Sequence, residues 1–131
     1  MKLKTRIETS RSMYKRGFTL LEILIVVTII GLLATIAVSN FMIARDNSRI
    51  TRIRTNLRQI ESAKEQWAIE NNKNAGAPIA SVTDLSDYFR SGQVGPVVNE
   101  TYEPNPLGTP ATALLPVKIG PYNAGDEIVA Q

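Results

Sequence analysis

The chain has no cysteine and no histidine, and no proline before Pro78. Each absence excludes something. Without cysteine no disulfide can staple a small lobe, and the redox character of the compartment leaves no mark. Without histidine the commonest general base and metal ligand are missing, so acid–base work would fall to carboxylates, lysine or tyrosine. The carboxylates that lie close together, Asp84/Asp87 and Glu100/Glu103, form no catalytic constellation, and Asp84 reads as a helix-capping residue. No enzyme activity is expected. The lack of proline leaves the first 77 residues without an obligatory helix break.

What is present is a sharp junction. Residues 1–17 carry six Lys/Arg and one Glu, a net of +5. From Phe18 to Val38 run 21 residues with a single charge, Glu22. At about 1.5 Å per residue such a helix spans about 31 Å, the thickness of a bilayer core. An acid inside such a segment is costly and marks function, although a position near one end lowers the cost. A secretory signal ending at Ala37-Val38-Ser39 fits poorly, because its apolar region would be too long and would hold an acid. A plain uncleaved anchor remains an alternative. The overall charge of +3 comes from the leader: residues 18–131 hold nine Lys/Arg and eleven Asp/Glu. Nucleic acid is therefore not an expected partner.

The stretch Lys15-Arg16-Gly17-Phe18-Thr19-Leu20-Leu21-Glu22, with the apolar run after it, resembles the N-terminus of type IV prepilins and type II secretion pseudopilins. The resemblance is specific over Lys15–Ala37 and general over about residues 11–70. It implies cleavage between Gly17 and Phe18 by a membrane prepilin peptidase, followed by methylation of the new Phe18 amine. Glycine has no side chain and can lie extended in a protease cleft. The resemblance further implies that Glu22 meets that amine and sets register, while the apolar faces of Ile23–Val38 form a filament core. The implied partners are further copies in a helical filament, the peptidase, an inner-membrane assembly platform and, before assembly, the lipid bilayer. The implied location is the bacterial inner membrane, single-pass with the N-terminus cytoplasmic, and then an extracellular or periplasmic filament. Five arginines follow the span, so the positive-inside rule does not orient it alone. The expected function is a structural subunit of a type IV pilus-like filament. The alternatives are a major pseudopilin of a type II secretion system and, in another class, a membrane-tethered binding module. Many pilins have a proline 21 residues after the first mature residue; here Ser39 stands there, which weakens the expectation of a kink.

The expected fold is α+β and pilin-like, with a long N-terminal helix packed against a small C-terminal lobe of one short helix and two or three antiparallel strands. The expected division is a leader over 1–17, a membrane and assembly helix over 18–39, its amphipathic continuation over 40–72, and the lobe over 73–131. Ile50, Ile53, Leu57, Ile60 and Trp67 form one apolar stripe, with Lys64 in the skipped position. The polar face carries a basic belt, Arg45, Arg49, Arg52, Arg54 and Arg58, then an acidic one, Glu61, Glu65 and Glu70. Such belts suit a solvated face with local pairs such as Arg58–Glu61 and Glu61–Lys64. They equally suit pairing between axially shifted copies, or contact with anionic lipid before assembly. Asn71–Pro78 is a helix stop. Ser81-Val82-Thr83-Asp84 starts a short helix through about Phe89. Beyond it six prolines break the chain. The β-prone pieces between them are Gln93–Val98, Thr112–Leu115, Pro116–Ile119 and Glu127–Ala130, expected to lie across the Ile60–Trp67 stripe. Glu100, Glu103 and Asn105 offer oxygen for calcium, but at a spacing that matches no known loop. No cofactor is expected.

Overall fold

A computed structural model describes residues 17–90 and 92–131. The leader, Met1–Arg16, and Ser91 lie outside the described residues. Helix α1 runs Leu20–Glu70, with no interruption at Gly31 or Ser39. Its end is set by backbone geometry. Asn72 takes a left-handed φ of 51°, Asn72 N–H donates to Ile69 O at 3.4 Å, and Lys73 N–H donates to Ala68 O at 2.9 Å. These paired bonds close the last turn as a Schellman motif, with asparagine replacing the usual glycine.

The described chain divides into two units, one ending at Ala37 and one from Val38 to Gln131. In the first, no described side chain is buried. In the second, the helical stripe becomes core: Ile53, Leu57 and Ile60 are fully buried, and Ile50 and Ala63 nearly so. Over them pack Leu85, Phe89, Ala111, Ala113, Leu115, Ile119 and Ile128. The short helix is a 3-10 turn, Val82–Tyr88, opened by a full capping box: Ser81 accepts from Thr83 N–H, and the Asp84 carboxylate accepts from Ser81 N–H at 3.1 Å. A three-stranded antiparallel sheet follows in the order β1 (Thr101–Glu103), β2 (Thr112–Leu114), β3 (Glu127–Val129). Its register pairs Tyr102 with Ala113 and Ala113 with Ile128, which puts these three on the inner face.

Two expected strands are corrected. Gln93–Val98 is not a strand, because Pro96 has no N–H and the next two N–H groups, of Val97 and Val98, donate to the Glu100 carboxylate at 2.7–3.0 Å. Pro116–Ile119 forms only an isolated bridge between Ile119 and Tyr122. The strand that does form there, β1, sits between Glu100 and Pro104, where acids and proline hid it. The sheet also sits lower on the helix than Ile60–Trp67. Bonds from α1 to the lobe run from Asp46 to Lys64: Gly120 N–H to Asp46 (3.3 Å), Arg54 to the Tyr122 hydroxyl (3.1 Å), Asn56 to the Tyr102 hydroxyl (2.8 Å) and Lys64 to Thr109 O (2.6 Å). Trp67 is only half-buried at the margin.

Lys64 explains the shift. It continues the apolar stripe and is fully buried. Its ammonium donates to Glu61 Oε1 at 3.1 Å and to Thr109 O at 2.6 Å, while Glu61 Oε1 also accepts from Ala111 N–H. The lysine stem fills an apolar position and its head ties the helix to the loop before β2. Lys64 is shut off from water while the Glu61 side chain stays about one-third exposed, and removing Glu61 would leave the buried ammonium with Thr109 O alone.

Glu100 forms the second node. It is 5% exposed and accepts from Val97 N–H, Val98 N–H and the Tyr102 hydroxyl, which in turn accepts from Asn56. Burial alone would raise the Glu100 carboxyl, but the Tyr102 hydroxyl and the two N–H groups outweigh it and hold it below its ordinary value. Burial and the bond to Glu100 push the Tyr102 phenol up.

Glu61→Ala should destabilise the lobe by about 1–3 kcal/mol, since the buried Lys64 ammonium keeps only Thr109 O, whereas Glu65→Ala, at an exposed site, should stay within about 0.5 kcal/mol. Thermal denaturation of the full chain in detergent, followed by Trp67 fluorescence, measures both. Because folding makes Glu100 more acidic, its stabilisation is present above its unfolded pKa, 4.5, and is lost as pH falls through the lower folded value. Melting temperature should therefore drop on acidification below about pH 4.5, and Glu100→Gln should flatten that drop.

Candidate functional site

The first turn of α1 organises the N-terminal junction. Glu22 N–H donates to Thr19 Oγ1 at 3.1 Å, and Ile23 N–H donates to Thr19 O at 3.3 Å. Thr19 is therefore the cap, and Glu22 lies in the first turn, where the helix dipole favours a carboxylate. Thr19 was missed in the sequence reading; the signal for it is a Thr three residues before a Glu at the head of an apolar run. Glu22 is exposed and makes no salt bridge with any described residue. Phe18, just outside the cap, is 78% exposed.

Gly17 has no structural reason to be glycine. A Cβ there would meet nothing within 4 Å, and Gly17 is not among the residues with positive φ. Gly31 is likewise open on all sides within the single chain. By contrast, Gly120 takes φ 53°, and a Cβ there would press on Ile50 at 3.4 Å.

Between Leu20 and Val38 large apolar side chains are exposed around the whole helix, from 46% for Val26 to 85% for Leu20. Among the described residues α1 is the one helix long and apolar enough to cross a membrane. Its hydroxyls are compatible with lipid: Thr28 donates to Leu24 O and Thr35 to Leu32 O, both at 2.7 Å. This segment exposes far more apolar area than water-soluble surfaces normally tolerate.

The structure sorts the charge belt. Arg45 and Arg49 pair with Asp46 at 3.5 and 3.7 Å. Arg54 donates to the Tyr122 hydroxyl, and Arg58 to Gln131 O at 3.4 Å rather than to Glu61. Glu61 is taken by Lys64 and Ala111, the local pair the spacing suggested. Arg52 and Glu65 are exposed and have no partner among the described residues. The calcium candidates do not converge: Glu100 is engaged by its own loop, and Asn105 turns its amide to Pro110 O at 2.8 Å. Among the described residues no group of three acidic side chains is placed to hold an ion.

Residues 12–38 match a family described as the prokaryotic N-terminal methylation motif. The chain is 41% identical over 58 residues to the type IV major pilin protein PilA of Myxococcus xanthus, covering 44% of this chain and 26% of that protein. It is 35% identical over 63 residues to the type II secretion system core protein G of Klebsiella michiganensis, covering 48% of this chain and 44% of the relative. It is 29% identical over 101 residues to the core protein G of Pectobacterium carotovorum, covering 77% and 57%. The chain thus spans between about a quarter and three fifths of the length of these curated relatives. No solved structure matches it. Over its N-terminal segment the chain is similar to type IV major pilins and type II secretion core proteins.

Proposed function

We propose that this protein is a structural, non-catalytic subunit of a type IV pilus-like filament, stored in the inner membrane and polymerised through its apolar helix. The observation that carries the reading is the coincidence of the methylation motif over residues 12–38 with a helical segment, residues 20–38, that is exposed on every side and whose sole charge is Glu22. In this reading a prepilin peptidase cuts between Gly17 and Phe18, and the Phe18 amine is then methylated. Removing the leader takes away the +5 charge that would hold the chain at the cytoplasmic face. It also creates a cationic amine one helical turn from Glu22. In a lipid-like medium a carboxylate without a partner is costly, so an amine from the same chain or an entering neighbour is its natural complement. Thr19 would hold the Glu22 backbone so that the carboxylate sits at the helix end in every copy. The exposed residues Ile23–Val38 would trade lipid for neighbouring helices, with Gly31 as a point of close approach.

A second reading, a major pseudopilin of a type II secretion system, is favoured by one observation: a secretion core protein G aligns over 77% of this chain. The two readings share processing and assembly chemistry and differ in the machine that drives polymerisation.

Expressed with its cognate peptidase, the wild-type chain should lose about 2 kDa, the mass of the leader, and Gly17→Val should abolish that shift. Glu22→Ala should be processed normally yet yield no sheared filaments. Abundant normal filaments from Glu22→Ala would remove the register role from Glu22, and a shift in Gly17→Val would move the cleavage site elsewhere.

A further inference from the structure

Of the eight belt charges named above, six are engaged inside the molecule, Glu70 among them beside the Tyr88 hydroxyl. Arg45 and Arg49 share Asp46, Arg54 and Arg58 hold the lobe, and Glu61 holds Lys64. Arg52 and Glu65 are left over, opposite in sign and both exposed. Their placement on α1 is informative. At about 100° per residue they point about 140° apart, each about 110° from the centre of the buried stripe formed by Ile53, Leu57, Ile60 and Lys64. They therefore lie on the two opposite flanks of the helix where it emerges from beneath the lobe. Each flank carries an open groove: one lined by Arg52, Asn56, Gln59 and Pro96, the other by Arg58, Glu65, Leu107 and Pro110.

We infer that Arg52 of one copy pairs with Glu65 of a second copy of this chain, displaced along the helix axis by about 20 Å, the rise of 13 helical residues. The inference rests on the filament reading above. Because the two groups lie on opposite flanks, the contact is heterologous: each copy offers Arg52 to one neighbour and Glu65 to another. Such contacts do not close into a dimer and propagate as an open helical assembly. At the same offset Arg45 of one copy approaches Arg58 of the other. That repulsion is muted, since Arg45 is paired with Asp46 and Arg58 is turned to the Gln131 carbonyl. The pair fixes axial register outside the membrane, independently of Glu22. A single exposed pair contributes little, but a filament repeats it at every subunit.

The absence of cysteine makes the contact directly testable. Two tagged chains, one Arg52→Cys and one Glu65→Cys, are co-expressed in cells that assemble the wild-type chain. Sheared filaments are treated with a bismaleimide reaching about 8–10 Å, because an Arg–Glu pair holds its backbones beyond the about 7 Å limit of a direct disulfide. The expected product is a mixed dimer carrying both tags, and a ladder of multimers when one chain carries both cysteines. Arg52→Glu or Glu65→Arg alone should lower filament yield roughly fivefold, and the double reversal should return it to within about twofold of wild type. Normal processing and membrane insertion of all variants, with no mixed dimer and no recovery in the double reversal, overturns the pair; the charges then face solvent or lipid head groups while the filament reading stands. Wild-type chains that never appear as processed protein in a sheared fraction overturn both.

Discussion

A helix satisfies its own backbone, and on that constraint the rest of this structure depends. In lipid no water is available to pair N–H and C=O groups, so the apolar segment after Phe18 can only be helical. The same helix then continues as the floor of a lobe too small to bury a core alone. Before Ala37 it is apolar on every side; from Ile50 to Ala63 one apolar stripe is covered by the lobe. One element thus serves two media, and the change of hydrophobic pattern along it marks the handover.

The lobe is joined to the helix through groups that look superfluous in a core. Lys64 occupies an apolar position and reaches Glu61 and Thr109 O. Glu100 gathers the N–H groups of a proline-broken loop and the Tyr102 hydroxyl. Both carboxylates do for irregular backbone what a sheet ladder does for strands, pairing donors that would otherwise be buried unmet. This arrangement lets a segment with six prolines stay ordered without disulfides.

Much of this was legible in the residues. The spacing of Ile50, Ile53, Leu57 and Ile60 located the core stripe, Asn71-Asn72 located the stop, and Ser81 with Asp84 located the capped turn, because each follows from local backbone chemistry. What escaped depended on tertiary context. Lys64 reads as an interruption until Thr109 supplies an acceptor. Gln93–Val98 reads as a strand until Glu100 takes the Val97 and Val98 donors. Thr101–Glu103 lies outside the β-prone pieces, and only its pairing with Thr112–Leu114 makes it a strand. The junction was the reverse case: Gly17, Phe18 and Glu22 stood out in sequence, while the folded chain supplies only the Thr19 cap and leaves Gly17 without a structural reason.

The central claim is that this chain ends its life as a processed filament subunit. The most direct measurement is the mass and sequence of its N-terminal peptide in material sheared from cells. The account predicts a peptide that begins at Phe18 and carries one added methyl group on its amine. A peptide that begins at Met1, found in membranes and absent from the sheared fraction, would contradict it.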